Sequence, residues 1–333
     1  MTTKKYELTG LGNALVDVLA HGSDEFLSEY GIVKGAMNLI DEERAKALYA
    51  AMAPGREVSG GSAGNTMAGF ASLGGRGAFM GKVADDQLGR IFAHDLRAGG
   101  TEFFCNPLKG GPETGRCLIV ITPDAQRSMN TYLGAGVEFS EADVDENVIA
   151  DSKIIYLEGY LFDRDTAKSA YRKASRVAHE RGADVALTLS DSFCVERHRA
   201  DFQRLIENDV DILFANEAEI LALYQSTSLD HALESVRPHC RVIAVTRSEK
   251  GCVILNGGET LEIPAFPVDR VIDTTGAGDQ FAAGFLFGLA RGRDLYHCGQ
   301  LGCLAASEVI AHVGPRPETP LAELAARMLP QAA

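Results

Sequence analysis

Through the second half of the chain, short continuous apolar runs alternate with stretches whose apolar positions recur at helical spacing. Lys153–Glu158 is followed by a helical pattern over 165–181, Asp184–Leu189 by one near 198–207, and Val210–Ala215 by one near 217–224; Arg241–Thr246 is a fourth run that follows a helix. Continuous apolar runs fit strands buried on both faces, and the stretches between them fit crossover helices. This half therefore predicts a parallel sheet with helices on both faces. Ligands of such sheets bind beyond the carboxyl ends of the strands, so the residues that follow each run are the first to inspect.

Residues 14–42 and 102–135 carry a different pattern. Short alternating runs (Ala14–Ala20, Ala36–Ile40, Arg116–Thr122, Ser128–Leu133) are separated by polar turns and predict a small antiparallel sheet. These segments are interleaved with the α/β core, so they read as a discontinuous lid inserted in it. The whole chain, 1–333, reads as a single α/β domain, and its length suffices for a substantial core. Gly314–Pro320 is the one conspicuous late loop.

Charge narrows the partners. Lys and Arg total 32 against 46 Asp and Glu, a formal net charge of −14, which disfavours a nonspecific grip on a nucleic acid polymer or an anionic membrane. An anionic ligand then needs a local site of backbone amides or a few chosen cations. No stretch of about 18 apolar residues is present, and Met1–Leu8 lacks the apolar segment of a signal peptide, so the expectation is a cytoplasmic protein. Seven cysteines, an odd number without a C-x-x-C pair, read as free buried thiols of a reducing compartment.

Asp273–Asp279 reads D-T-T-G-A-G-D, and apolar side chains fill the following 280–291 almost all round, which predicts a buried helix. Gly276, Ala277 and Gly278 leave the first-turn N–H groups of that helix uncovered, an anion site made of backbone and helix dipole. Asp279 falls at the helix start, where the dipole favours the ionised carboxylate, placed to take a proton from a hydroxyl beside a bound phosphate. The plainer alternative is a loop with Asp279 as helix cap. Earlier, Ser59–Asn65 opens a helical stretch over 66–73. Gly60 and Gly61 permit close backbone approach, and Ser62 and Asn65 offer hydrogen bonds to a hydroxylated ligand; a structural turn is the alternative.

In this order the two segments resemble the signatures of the ribokinase-like (PfkB) family of sugar and nucleoside kinases. Ser59–Asn65 is similar to its glycine pair and sugar-binding asparagine, and Asp273–Asp279 to its C-terminal D-T-x-G-A-G-D. The resemblance covers nearly the whole chain. It implies a ribokinase-like α/β fold: a central, mostly parallel sheet with helices on both faces and a small β-sheet lid. It also implies Asp279 as catalytic base, the amides of Gly276, Ala277 and Gly278 on the reacting phosphate, and Thr275 at the nucleotide.

Weaker motifs then take their places. Asn216–Glu219 is similar to N-x-x-E, which by resemblance puts Asn216 at the nucleotide and Glu219 on Mg²⁺ through water; that hard ion keeps much of its hydration. Thr246–Gly251 resembles T-x-G-x-x-G, with Arg247 and Ser248 departing from it, so Thr246 and Gly251 carry over as nucleotide-binding. Gly12–Asp17 resembles the adenosine-kinase branch, in which the residues matching Asn13 and Asp17 bind ribose. A carboxylate there accepts hydrogen bonds from two vicinal hydroxyls. The segments 26–41 and 130–136 resemble the same branch, and Tyr160, Leu161 and Phe162 stand where it places purine-contacting aromatics. In the lid, Arg116 and Arg127 read as solvated surface arginines, with a swing toward the transferring phosphate as the alternative.

The resemblance thus implies transfer of the γ-phosphate of ATP to the 5′-hydroxyl of a nucleoside, adenosine foremost, in purine salvage. It implies Mg²⁺ with ATP and a monovalent cation such as K⁺ near Asp273 and the 309–318 loop. The expected partners are ATP and a small nucleoside or sugar, on a monomer or homodimer. Another nucleoside or a free sugar, ribose or fructose, is the nearest alternative, and a noncatalytic nucleotide sensor is a second. An acyl hydrolase is suggested by Gly60–Gly64, which fits G-x-S-x-G, but 53–58 is a poor strand to lead into Ser62. Gly10–Leu15 lacks the third glycine of a dinucleotide fingerprint, and Gly75–Val83 lacks the spacing of a Walker loop.

Overall fold

In the computed structural model, which describes residues 4–124 and 126–329, nine strands form one sheet in the order β14-β13-β12-β11-β10-β9-β1-β5-β6. They are β1 (Tyr6–Leu11), β5 (Gly77–Met80), β6 (Thr101–Phe104), β9 (Ser152–Glu158), β10 (Asp184–Thr188), β11 (Ile212–Asn216), β12 (Val242–Thr246), β13 (Cys252–Asn256) and β14 (Glu259–Ile263). Pairing is parallel from β6 to β12, and only the β12–β13 and β13–β14 hairpins are antiparallel. The apolar runs read from the sequence are these central strands, and two apolar cores cover the two faces of the sheet. The first three residues of the Met1–Leu8 stretch lie outside the described residues. Among the described residues no helix is long and apolar enough to cross a membrane.

Register brings the site together. Leu11 pairs with Leu157, Leu157 with Leu187, Thr188 with Phe214, and Asn216 with Thr246. Asn13, Glu158, Asn216 and Thr246 therefore all emerge at the carboxyl edge of one sheet, where ligands of open α/β sheets bind.

The small sheet has five strands in the order β3-β8-β7-β2-β4: β2 (Leu15–His21), β3 (Met37–Leu39), β4 (Arg56–Ser59), β7 (Thr114–Ile121) and β8 (Arg127–Gly134). Three features differ from the sequence-based expectation. The sheet is mixed, because β2 and β7 pair in parallel, as do β3 and β8. Alternation specifies which side chains share a face; strand direction is set by how each strand enters the sheet. The segment 53–58, read as a poor strand, contributes β4, an edge strand paired to β2 with Asp17 opposite Val58. An edge tolerates the charged Arg56 and Glu57. Finally, 102–104 belongs to β6 of the large sheet, not to the small one.

The predicted buried helix is Ala277–Ala290, and Gln280 through Gly288 are all buried. It packs closely on the helix Leu295–Val309: a Cβ on Gly284 would lie 2.3 Å from the Leu301 carbonyl oxygen. On its other side is the helix Ser62–Ser72, where a Cβ on Gly69 would meet Gln280 and Ala283. These glycines let backbones approach, and the approach carries the start of Ser62–Ser72 to Asp279.

Candidate active site

Asp279 lies in the first turn of Ala277–Ala290, partly accessible to solvent. Its Oδ1 accepts a hydrogen bond from Ser62 Oγ at 2.6 Å, and its Oδ2 accepts one from Asn65 Nδ2 at 3.2 Å. The two glycine-rich segments thus meet at one carboxylate. The helix dipole favours the ionised form, and burial pushes its pKa up to about 6 against the two hydrogen bonds that hold it down, so the group is still mostly ionised at neutral pH. A carboxylate in that range is matched to proton transfer near neutral pH.

Gly276 caps the helix with φ 78°, and a Cβ there would lie 2.7 Å from Pro315. A Cβ on Gly278 would meet nothing within 4 Å, so the helix start is open on that side. Of the three expected phosphate amides, Ala277 N–H donates to the Thr274 carbonyl at 3.2 Å, a tight turn. The N–H groups of Gly276 and Gly278 have no acceptor among the described residues. Thr275, expected at the nucleotide, turns inward: its N–H and Oγ1 donate to Asp273 Oδ1 at 3.0 and 2.7 Å.

On the acceptor side Asp17 is buried on β2, and a Cβ on Gly60 would lie 2.3 Å from its Cγ, so only glycine admits this carboxylate. Burial raises the Asp17 pKa to about 7; Arg316 and Arg127 oppose that rise and Asp279 adds to it. Gly61 has φ 81°, and a Cβ there would lie 2.4 Å from the Asn13 carbonyl oxygen. Asn13 is buried and donates through Nδ2 to Glu158 Oε1 at 2.9 Å, while Ala63 N–H donates to Glu158 Oε2 at 2.8 Å. Glu158 therefore ties Asn13 to the start of Ser62–Ser72, and burial lifts its pKa to about 7.

Across the small sheet, Asp17 stands level with Cys117, Cys117 with Thr131, and Thr131 with Leu39. Paired residues share a face. Thr131 and Leu39 help line a cavity of about 290 Å³ together with Ile40, Tyr132, Leu133 and Val137. Of the three aromatic-branch candidates, Phe162 is core, stacked on Phe202 at 4.3 Å, and Leu161 is buried. Tyr160 alone is partly accessible, its hydroxyl donating to the Ser190 carbonyl at 3.3 Å.

On the opposite side a cleft of about 360 Å³ is lined by Asn216, Glu217, Thr246, Arg247 and Ser248 among others. Asn216 and Glu219 form a reciprocal capping box: Glu219 N–H donates to Asn216 Oδ1, and Asn216 N–H and Nδ2 donate to the two Glu219 oxygens. Gly251 has φ 81°, and a Cβ there would lie 2.0 Å from the Ile263 carbonyl oxygen. Ser248, at the position of the resembled motif's internal glycine, is held at φ 50°.

Both lid arginines are buried, not solvated. Arg116 pairs with Glu113 at 2.9 Å and stands over the rings of Tyr49 and Tyr132. Arg127 Nη1 lies 2.7 Å from Asp273 Oδ2, which also accepts Gly314 N–H at 2.9 Å. With Thr275 on Oδ1, both Asp273 oxygens are engaged by groups of the chain itself. Ser62 bonds to Asp279 and to no histidine among the described residues, which removes the hydrolase arrangement even though β4 does lead toward it.

Sequence reasoning passed over Glu158, Arg316 and Gln280. Glu158 is the last residue of an apolar strand, so the strand-end rule already pointed to it. Gln280 Nε2 donates to the backbone carbonyls of Asn65 and Pro315 at 3.0 and 2.9 Å, contacts that no local pattern announces.

The model of the pfkB family carbohydrate kinase matches residues 29–321. The adenosine kinase of Schizophyllum commune is 29% identical over 353 aligned positions, which span 96% of this chain and 99% of that one. Among solved structures, an adenosine kinase from Sinorhizobium meliloti is 54% identical with a TM-score of 0.90, covering 97% of this chain and 99% of its own. A probable sugar kinase from Rhizobium etli CFN 42 is 50% identical with a TM-score of 0.91, covering 97% and 98%.

Proposed function

The chain belongs to the pfkB carbohydrate kinase family, and from that premise we propose that it transfers the γ-phosphate of ATP to the 5′-hydroxyl of a nucleoside, adenosine first. The observation that carries the reading is Asp279: one carboxylate, fixed by Ser62 and Asn65, between an acceptor cleft and an open helix start. Adenosine kinases among the relatives support the acceptor.

Asp279 takes the 5′-hydroxyl proton as that oxygen attacks the γ-phosphorus, and the bond to the ADP oxygen breaks. Charge on the transferring group develops against the free amides of Gly276 and Gly278 at the positive end of the helix. Asp17 accepts hydrogen bonds from the ribose diol, with Gly60 and Gly61 keeping the backbone clear. The base occupies the cavity lined by Leu39, Tyr132 and Val137 among others. The phosphates extend toward Asn216 and Thr246 in the second cleft, with Gly251 closing the turn that lines it.

The site suits Mg²⁺. Burial pushes the Glu219 pKa up to about 7; the Asn216 N–H holds it down, and the charges of Asp191 and Asp279 add to the rise, a repulsion that a divalent cation would relieve. No group of three acidic, His or Cys side chains among the described residues forms a cage. Glu219, through water, and the nucleotide phosphates would hold the ion, which would supply charge to offset the transferring phosphate. All these residues lie in one chain, so a monomer or a homodimer serves, and cytoplasmic purine salvage is the setting this reaction implies.

A free-sugar acceptor is the second reading, favoured by the relative named a probable sugar kinase. ATP consumption measured with adenosine, inosine, guanosine, cytidine, ribose and fructose separates the two. Adenosine is expected to lead. A preference for ribose or fructose overturns the nucleoside assignment, and absence of turnover on every acceptor overturns the kinase mechanism.

A further inference from the structure

Arg316 sits in the late proline-rich loop, far in sequence from every motif, yet its Nε lies 3.4 Å from Asn65 Oδ1. The same asparagine gives its Nδ2 to Asp279. The loop is fastened there by Gln280, whose Nε2 bridges the backbone carbonyls of Asn65 and Pro315. Arg316 Nη2 is buried with no partner among the described residues. The guanidinium is therefore fixed in the acceptor site and is not a stray surface cation.

An asparagine amide presents a donor at one end and an acceptor at the other, and which end faces a carboxylate depends on what holds the opposite end. A donor toward Asp279 stabilises the base as an anion; a carbonyl there would repel it. Arg316 carries only donors, so it can hold only the carbonyl end. We propose that Arg316 is a positioning residue for the general base, holding the Asn65 amide so that its NH₂ faces Asp279. The inference rests on the kinase reading above and deepens it.

Other charged or titratable groups surround this pair. Asp17, Tyr156, Glu158, Tyr160 and Glu219 all feel the Asp279 charge, and Arg316 also faces Asp17, Asp95 and Arg56. A charge effect of Arg316 that bypasses Asn65 must therefore be separated from the amide effect. A double-mutant cycle does this.

The wild-type enzyme is first assayed with ATP and its best acceptor; inactivity there rejects the kinase reading and leaves Arg316 aside as a distinct question. In an active enzyme, Arg316→Gln is expected to lower kcat about tenfold and to move the acidic limb of kcat/KM upward by about half a pH unit, with KM for ATP unchanged. Arg316→Lys, which retains a charged donor, recovers most of the rate. In an Asn65→Ala background, Arg316→Gln adds no further loss, because the amide it acts through is gone. An unmoved acidic limb in folded Arg316→Gln, or losses that multiply in the double variant, overturns the proposal. If Arg316→Gln does not fold by circular dichroism, Asn65→Asp decides: it accepts from Arg316 but gives nothing to Asp279, so its acidic limb must rise, and an unmoved limb rejects the relay.

Discussion

Arg127 and Asp273 form a buried ion pair, Nη1 to Oδ2 at 2.7 Å, that joins the small sheet to the loop ahead of the helix Ala277–Ala290. Asp273 is also the anchor of that loop, through Thr275 on one oxygen and Gly314 on the other. The position of the small sheet is thereby linked to the shape of the turn that opens the helix Ala277–Ala290.

Removing one partner of a buried pair leaves the other charge uncompensated, at about 3–5 kcal/mol. Three hydrogen-bond donors stay on Asp273, so Arg127→Ala is expected near the lower end, with a loss of about 3 kcal/mol in urea unfolding. A loss under about 0.5 kcal/mol, the range of ordinary surface changes, contradicts the linkage.

Asp279→Asn removes the proton acceptor while leaving the amides of Gly276 and Gly278 in place. Turnover should fall about 10²–10⁴-fold, the usual worth of a general base, with ATP affinity by calorimetry largely kept. Near-normal turnover would remove Asp279 from the mechanism.

The same carboxylate sets the pH response of activity. With its pKa at about 6 and the ionised form active, kcat/KM should be level above that value and fall as pH drops through it. Stability should move the other way. Asp17, Glu158 and Glu219 have folded pKa values of about 7, above their unfolded values, so the native state holds more protons across the interval between. Their stabilising contribution is complete below the unfolded carboxylate range and is lost as pH rises through about 7. The unliganded protein should therefore melt at a lower temperature at pH 8 than at pH 6, and Glu158→Gln should flatten that slope. A melting temperature that rises from pH 6 to 8 refutes it.

What the sequence disclosed and what it concealed divide along the range of the forces. The helix Glu217–Tyr224 starts where it was expected because its capping box spans three residues, Asn216 to Glu219, and is complete in the local sequence. The central strands were legible because burial on both faces demands continuous apolar runs. The strand β4 was not, because Arg56–Ser59 is stabilised by its partner β2 and not by its own composition. Burial of Arg127 was equally hidden, since the guanidinium is tolerated only because the fold delivers Asp273 to it. Asp279, Ser62 and Asn65 could be named as candidates, but the hydrogen bonds that make them one site join residues more than two hundred positions apart.

Ser248 offers a test that needs no catalysis. It is held at φ 50° in the turn between β12 and β13, a left-handed conformation in which Cβ crowds the following carbonyl at roughly 1–2 kcal/mol. The turn itself is required: Gly251 N–H donates to the Ser248 carbonyl at 3.0 Å, and Arg247 N–H to the Gly251 carbonyl at 2.7 Å. Ser248 is exposed, so its hydroxyl loses nothing when removed. Glycine relieves the crowding but gains freedom in the unfolded chain, which returns part of the benefit. Ser248→Gly is expected to stabilise the protein by about 0.5–1 kcal/mol in urea unfolding, whereas Gly251→Ala, at φ 81° and against the Ile263 carbonyl, should destabilise it by more than that. Equal, small effects from the two substitutions would show that this turn bears no backbone strain, and with it would go the explanation for glycine at both positions of the resembled motif.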